Sequence, residues 1–325
     1  MKKIVILMIV VFLLVGCSEN QLKTDNLFKD KTTTQNENVE KIRIALVMKT
    51  LTNPFFNEME RGARLAEKEL GISLIVKTGA KETSIQQQIA IVDELIIDKI
   101  DAIVIAPGSS TDLIPVLKKA QDAGIVIVNI DNRLDVKLCK SFHLDNVPFI
   151  SVDNKIAAYN SAKFIAQKVS SPTSALIIEG IRGTDNGDSR KEGAKKAFLE
   201  NSKIENIYYE TANWKIDEAN IVTTKMFAEH KDIGLVFCAN DMMALGAIQF
   251  LQKNNLKNVR VAAFDNLKEA QTAILEGSLQ VTIDQKPADQ GYKGIAYAIK
   301  ILRGEKVPLI TTIETKLITI KNVKD

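Results

Sequence analysis

The chain has 325 residues, of which 46% are hydrophobic and 26% charged, enough apolar material for full cores in two domains of ordinary size. Its 43 basic residues against 40 acidic ones leave a net charge of only +3, which argues against a nucleic-acid surface.

Residues 1–17 have the pattern of an export signal. Lys2 and Lys3 precede an apolar run from Ile4 to Val15, and Leu14-Val15-Gly16-Cys17 forms a lipoprotein signal-peptidase site. The apolar run is too short for a comfortable span of about 20 residues, and its flanks suit cleavage. Cleavage leaves Cys17 as the first mature residue, carrying the acyl chains that anchor the protein to a membrane. From Ser18 to Glu40 the chain is rich in Asn, Gln, Thr, Lys and Asp. Such a segment cannot bury enough surface to offset its ordering entropy, so it is expected to serve as a flexible tether.

Strands and helices then alternate. Ile42–Met48 is an apolar run of strand length. Asn53-Pro54 supplies an N-cap with Pro at the first helical position, and Phe56, Met59, Ala63, Ala66 and Leu70 recur at helical spacing until Gly71. A strand over 72–76, a helix over 85–97, a strand over 102–106, a helix over 113–123 and a strand over 125–130 complete a first series. A second series starts near Val152. It places helices at 156–169, 190–199, 216–230, 242–254, 268–275 and 289–302, and strands at 175–179, 204–209, 235–239, 259–264, 280–283 and 310–318. No tight hairpin signal interrupts either series, so the fold class is α/β, with two doubly wound parallel-sheet lobes.

In open α/β sheets, ligands lie beyond the carboxyl ends of the strands. The first polar residues there are Lys49, Asp131 with Asn132, Asn240 with Asp241, Asp265 with Asn266, and Gln285. Any one of them could simply cap the next helix, but five in succession at equivalent places point to a site. Phe55 and Phe56 follow Asn53-Pro54, and the single tryptophan, Trp214, lies in a connection. Adjacent helical residues face different ways, so at least one of the two phenylalanines should leave the core stripe. Flat apolar rings beside charged acceptors and amides describe a site for a neutral molecule with C–H faces and hydroxyl edges. Nothing in the sequence calls for a cofactor or metal: His143 and His230 lie far from ligand spacing with Cys139 or Cys238, and no nucleophile elbow or phosphate loop occurs. Paired aspartates could serve a glycosidase, but each strand-end carboxylate has an amide or cation beside it, so a non-enzyme is expected. Cys238, inside an apolar run, is expected to be a buried free thiol.

From Ile42 to about Val323 the chain resembles the periplasmic sugar-binding proteins of ABC transporters, of the ribose- and allose-binding type, with the allose binders nearer. The likeness rests on Lys49-Thr-Leu-Thr-Asn-Pro-Phe-Phe56, Val128-Asn-Ile-Asp131, Ile177-Ile-Glu-Gly180, Cys238-Ala-Asn-Asp241 and Gln285-Lys-Pro-Ala-Asp289, in that family's order. The resemblance implies that Lys49, Asn53, Asp131, Arg190, Asn240, Asp265 and Gln285 hydrogen-bond a monosaccharide between stacking walls of Phe55, Phe56 and Trp214. Asn132 stands where ribose binders carry a basic residue and allose binders an acidic one, and it joins the expected contacts as an amide that both donates and accepts. The resemblance also implies a three-stranded hinge, with 41–152 plus 286–315 in the N-terminal lobe and 153–285 plus 316–325 in the C-terminal lobe. It implies a monomer in the cell envelope, outside the cytoplasm, that hands its sugar to a membrane permease. A lipoprotein sensing a sugar or polyol for a chemotaxis or signalling receptor fits the same residues. Repressors that share the fold carry an N-terminal helix-turn-helix, whereas an export signal stands in that place here.

Overall fold

The computed structural model describes residues 41–324; the leader, the expected acylation site Cys17 and the tether lie outside the described residues. Within them, β1 (Arg43–Met48), β2 (Ser73–Thr78), β3 (Ala102–Ile105), β4 (Val126–Ile130) and β5 (Phe149–Val152) alternate with α1 (Pro54–Leu70), α2 (Ile85–Ile97), α3 (Ile114–Asp122) and α4 (Val136–Ser141). The second series runs α5 (Asn154–Ala166), β6 (Thr173–Glu179), α6 (Asp185–Leu199), β7 (Ile204–Thr211), α7 (Ile216–Glu229), β8 (Ile233–Cys238), α8 (Asp241–Lys253), β9 (Arg260–Ala262), α9 (Lys268–Leu275) and β10 (Val281–Asp284). Then come α10 (Pro287–Leu302), β11 (Ile310–Ile313) and β12 (Lys316–Thr319).

The strands form two six-stranded sheets, ordered β11-β5-β4-β3-β1-β2 and β12-β10-β9-β8-β6-β7. All pairings are parallel except that of β12 with β10. Helices cover both faces, so central strands lose their polar alternation: every residue of β3 is buried. The result is two doubly wound lobes joined by three crossings. The chain passes from the first sheet to the second after β5, returns after β10, and passes again between β11 and β12.

That last crossing explains where the sequence pattern misleads. The run 310–318 has the pattern of one strand, yet Glu314 and Thr315 carry the chain from one sheet to the other, and the two halves pair with different neighbours. α6 also begins at Asp185 rather than at Arg190, so the residues just ahead of the expected helix form its first turn. Cys139 and Cys238 are both free.

α1 and α10 lie backbone to backbone in the first lobe. A methyl group on Gly62 would lie 1.9 Å from the Ala288 carbonyl oxygen, and one on Gly291 would lie 2.1 Å from the Met59 carbonyl oxygen. Neither carbonyl can swing away as a side chain could. Gly62→Ala should therefore destabilise the protein by about 2 kcal/mol or more through overpacking, seen as a lower urea midpoint with unchanged slope. An unchanged midpoint would contradict this packing.

Candidate functional site

The carboxyl ends of the strands meet between the lobes around a small cavity. The first lobe contributes Asn53, Phe55, Phe56 and Asp131; the second contributes Asn186, Arg190, Trp214, Asn240, Asp265 and Gln285. None of these side chains belongs to a residue more than 5% exposed.

Local rules place each of them. Asn53 N-caps α1, its Oδ1 accepting from Phe55 N at 3.1 Å, while its Nδ2 donates to Glu82 Oε1 at 2.9 Å. Pro54 follows at the first helical position and sets Phe55 and Phe56 on the first turn, with their rings edge to face at 5.1 Å. Both rings line the cavity. Asn240 likewise caps α8, accepting from Met243 N at 2.9 Å, and its Nδ2 donates to the Trp214 carbonyl at 3.4 Å. Capping and lining the cavity are thus joint roles of one amide rather than alternatives. Trp214 packs its ring over Gly180, where any Cβ would stand 2.0 Å from the indole. Asp131, Trp214 and Asp265 have φ of 63°, 67° and 126°, conformations that cost L-residues about 1–3 kcal/mol each and that cluster at functional sites.

Two opposite-charge pairs dominate the electrostatics. Lys49 Nζ lies 2.8 Å from Asp131 Oδ2 and 5.7 Å from the centre of the Phe56 ring. Arg190 is held from several directions. Its Nε donates to Asn154 Oδ1 (2.8 Å), its NH1 to the Ala239 carbonyl (2.9 Å), and its NH2 to Gln285 Oε1 (3.3 Å). Its plane lies 3.8 Å from the Phe264 ring centre. Asp265 Oδ1 stands 3.5 Å from Arg190 NH1 and accepts from Gln285 Nε2 at 2.6 Å. Burial raises the Asp265 carboxyl well above the ordinary range, against the opposing pull of Arg190 and the Gln285 hydrogen bond. The same burial pushes Glu82 up, with Lys49 opposing, and pulls the Arg190 guanidinium down, with Asp265 opposing.

The residues expected from sequence divide into two groups. Asn53, Phe55, Phe56, Asp131, Arg190, Trp214, Asn240, Asp265 and Gln285 all line the cavity. Lys49 stands behind Asp131 as its counter-ion. Asn132 points elsewhere: its Nδ2 donates to the Pro107 carbonyl at 3.1 Å, and its Oδ1 accepts from Asn186 N at 3.3 Å, so it is fully buried outside the lining. Asn186, Glu82 and Asn154 went unnoticed in the sequence. Asn154 obeys the strand-end rule after β5, and only the placement of that strand hid it. Asn186 lies in the helical turn expected as loop, and nothing in its spacing marks it.

Five buried side-chain polar atoms among the described residues lack a hydrogen-bond partner, and three of them line this one cavity: Asp131 Oδ2, Asn186 Oδ1 and Trp214 Nε1. Asp131 Oδ2 has its cation close by, but off the hydrogen-bond direction. Buried polar atoms are ordinarily satisfied, so lining residues that keep free donor and acceptor capacity suit the cavity to a small hydroxylated molecule.

The fold, two doubly wound lobes with a cavity between them, is that of a two-lobed binding protein. The periplasmic binding protein domain model matches residues 44–306. A D-ribose/D-allose-binding protein of Pseudomonas aeruginosa is 38% identical over 272 residues, covering 83% of this chain and 85% of its own length. The D-allose-binding periplasmic protein of Escherichia coli is 31% identical over 277 residues, covering 84% of this chain and 89% of its own. An ABC transporter periplasmic solute binding protein from Actinobacillus succinogenes, solved with bound D-allose, superposes with a TM-score of 0.83 at 36% identity over 87% of this chain and 99% of that one. This chain belongs to the periplasmic binding protein family.

Behind the site, Asp241 accepts from Leu267 N at 2.8 Å and from the Thr282 hydroxyl at 2.6 Å, fixing the loop that carries Asp265. Burial raises its carboxyl from 3.8 to about 7. A folded-state value above the unfolded one means the folded protein binds the extra proton. Its stabilising contribution is complete below the unfolded value and is lost as pH rises through about 7. Asp241→Asn removes this titration, so the wild type should lose stability relative to the variant as pH is raised from about 4 to about 8 in urea titrations. A stability difference independent of pH would contradict the assignment.

Proposed function

We propose that this protein is a lipid-anchored extracytoplasmic binding protein of an ABC transporter, which clasps one monosaccharide, an allose- or ribose-like aldose, between its lobes and hands it unaltered to a membrane permease. The observation that carries the reading is the interlobe cavity itself, lined by charged and amide side chains from both lobes, among them Asn186 and Trp214, each with a buried polar atom that has no partner. Sugar hydroxyls donate to Asp131 Oδ2 and Asn186 Oδ1 and accept from Trp214 Nε1. The relatives named for D-ribose and D-allose support the ligand class.

Hydrogen bonds to charged groups contribute about 1.5–3 kcal/mol each, and Asp131, Asp265 and Arg190 offer several. Phe55, Phe56 and Trp214 cover the C–H faces. Because the two lobes supply different groups, the sugar binds the closed form better than an open one, and that difference drives closure. The permease then distinguishes loaded from unloaded protein by shape. The protein acts as a monomer, the crossings 153, 285–286 and 314–315 serve as the hinge, and Cys17 with the polar stretch 18–40 supplies anchor and reach.

A thermal-shift panel of aldopentoses, aldohexoses and polyols tests the reading. An aldose at 100 times its dissociation constant should add about 2.7 kcal/mol of stability. Asp265→Ala should abolish the shift with the fold retained, and Trp214→Ala should weaken binding about fivefold or more through lost ring contact. No shift with any sugar would overturn the reading; unchanged affinity in either variant would remove that residue from the site. Cys17→Ser should move the protein from the membrane fraction to the soluble fraction, and continued membrane attachment would contradict the anchor.

A further inference from the structure

α6 carries two cavity residues, Asn186 and Arg190, and its N-terminus is capped in an unusual way. Its own N-cap, Thr184, makes no side-chain cap bond, because the hydroxyl donates to the Ile181 carbonyl at 2.7 Å. The first helical N–H groups instead reach across to the other lobe. Asp185 N donates to Ser110 Oγ at 3.0 Å, and Asn186 N donates to Asn132 Oδ1 at 3.3 Å. Ser110 Oγ also donates to Asn132 Oδ1 at 3.4 Å, and Asn132 Nδ2 is anchored on the Pro107 carbonyl. Ser110 is 6% exposed and Asn132 is fully buried.

A helix N-terminus leaves its first N–H groups without intrahelical partners, and a side-chain oxygen on one of them contributes roughly 1 kcal/mol. In this protein that contribution exists only while the lobes are together. We infer that Ser110 and Asn132 are positioning residues that cap α6 in trans, so that completing the helix and closing the lobes are one event. They set the closed-state population without touching the sugar. This rests on the monosaccharide reading above, and it gives Asn132 a role other than the ligand contact expected from sequence.

A residue that touches ligand discriminates among ligands, whereas a residue that acts on closure taxes all of them alike. Ser110→Ala, which spares the Asn132 anchor, should weaken every aldose that binds by the same factor, about fivefold for one lost hydrogen bond. The loss should appear in the dissociation rate, the rank order of sugars should not change, and Ser110→Thr, which keeps the hydroxyl, should restore affinity. Asn132→Ala should act in the same direction and more strongly. A second arm reads the contact itself: with Cys139→Ser in place, Ser110→Cys and Asp185→Cys together should join on mild oxidation in the presence of a panel of aldoses. Sugar-dependent factors, or unchanged affinity in Ser110→Ala, would overturn the trans cap while leaving the monosaccharide reading standing. Failure of the cysteines to join would overturn the contact itself. Joining of the introduced cysteines, together with a wild type that binds no aldose, would sink the monosaccharide reading instead.

Discussion

The arrangement depends on keeping charge buried between two lobes. Lys49 with Asp131 and Arg190 with Asp265 are all 5% exposed or less, and isolated charges removed from water this far are costly. Each is therefore matched by a counter-charge, and the second pair is tied further by Gln285, Asn154 and a backbone carbonyl. The cost of closing the crevice is offset in advance by partners built into each lobe. A neutral polyol completes the remaining hydrogen bonds without adding charge, whereas an anion or a cation would unbalance the pairs.

This matching also bears on the proposed reading as a binding protein. A general acid needs a carboxyl free to give its proton to a bound group. Asp265 has its Oδ1 committed to Gln285 with Arg190 alongside, and Asp131 faces Lys49. Carboxylates committed in this way suit the proposed reading, in which they hold a ligand rather than transform it, and the chain belongs to a family of binding proteins.

Much of the fold was legible because strands buried on both faces leave unbroken apolar runs, and helices between them end at residues such as Gly71 and Gly124. What stayed hidden had physical causes. The apolar run of β5 is broken by Ser151, and the break between β11 and β12 is a change of partner rather than a change of pattern. In the site, the strand-end rule found Lys49, Asp131, Asn240, Asp265 and Gln285, since topology alone fixes where they emerge. Arg190 was reached only through family resemblance, and Asn186 and Glu82 not at all, because they project from a helix turn and a loop whose periodicity carries no information about the crevice. Asn132 shows the converse: it sits at a strand end as the rule requires, yet one residue beyond Asp131 the side chain leaves the cavity and serves the contact between lobes.

Trp214 is the only tryptophan in the chain and lines the cavity, so its fluorescence reports directly on the event at the centre of this account. Titrating the purified protein with D-allose and D-ribose while following indole emission is the most direct measurement. The account predicts a saturable change for at least one of the two, with the sugar recovered chemically unchanged afterwards. Emission indifferent to both sugars, or recovery of a converted product, would contradict it.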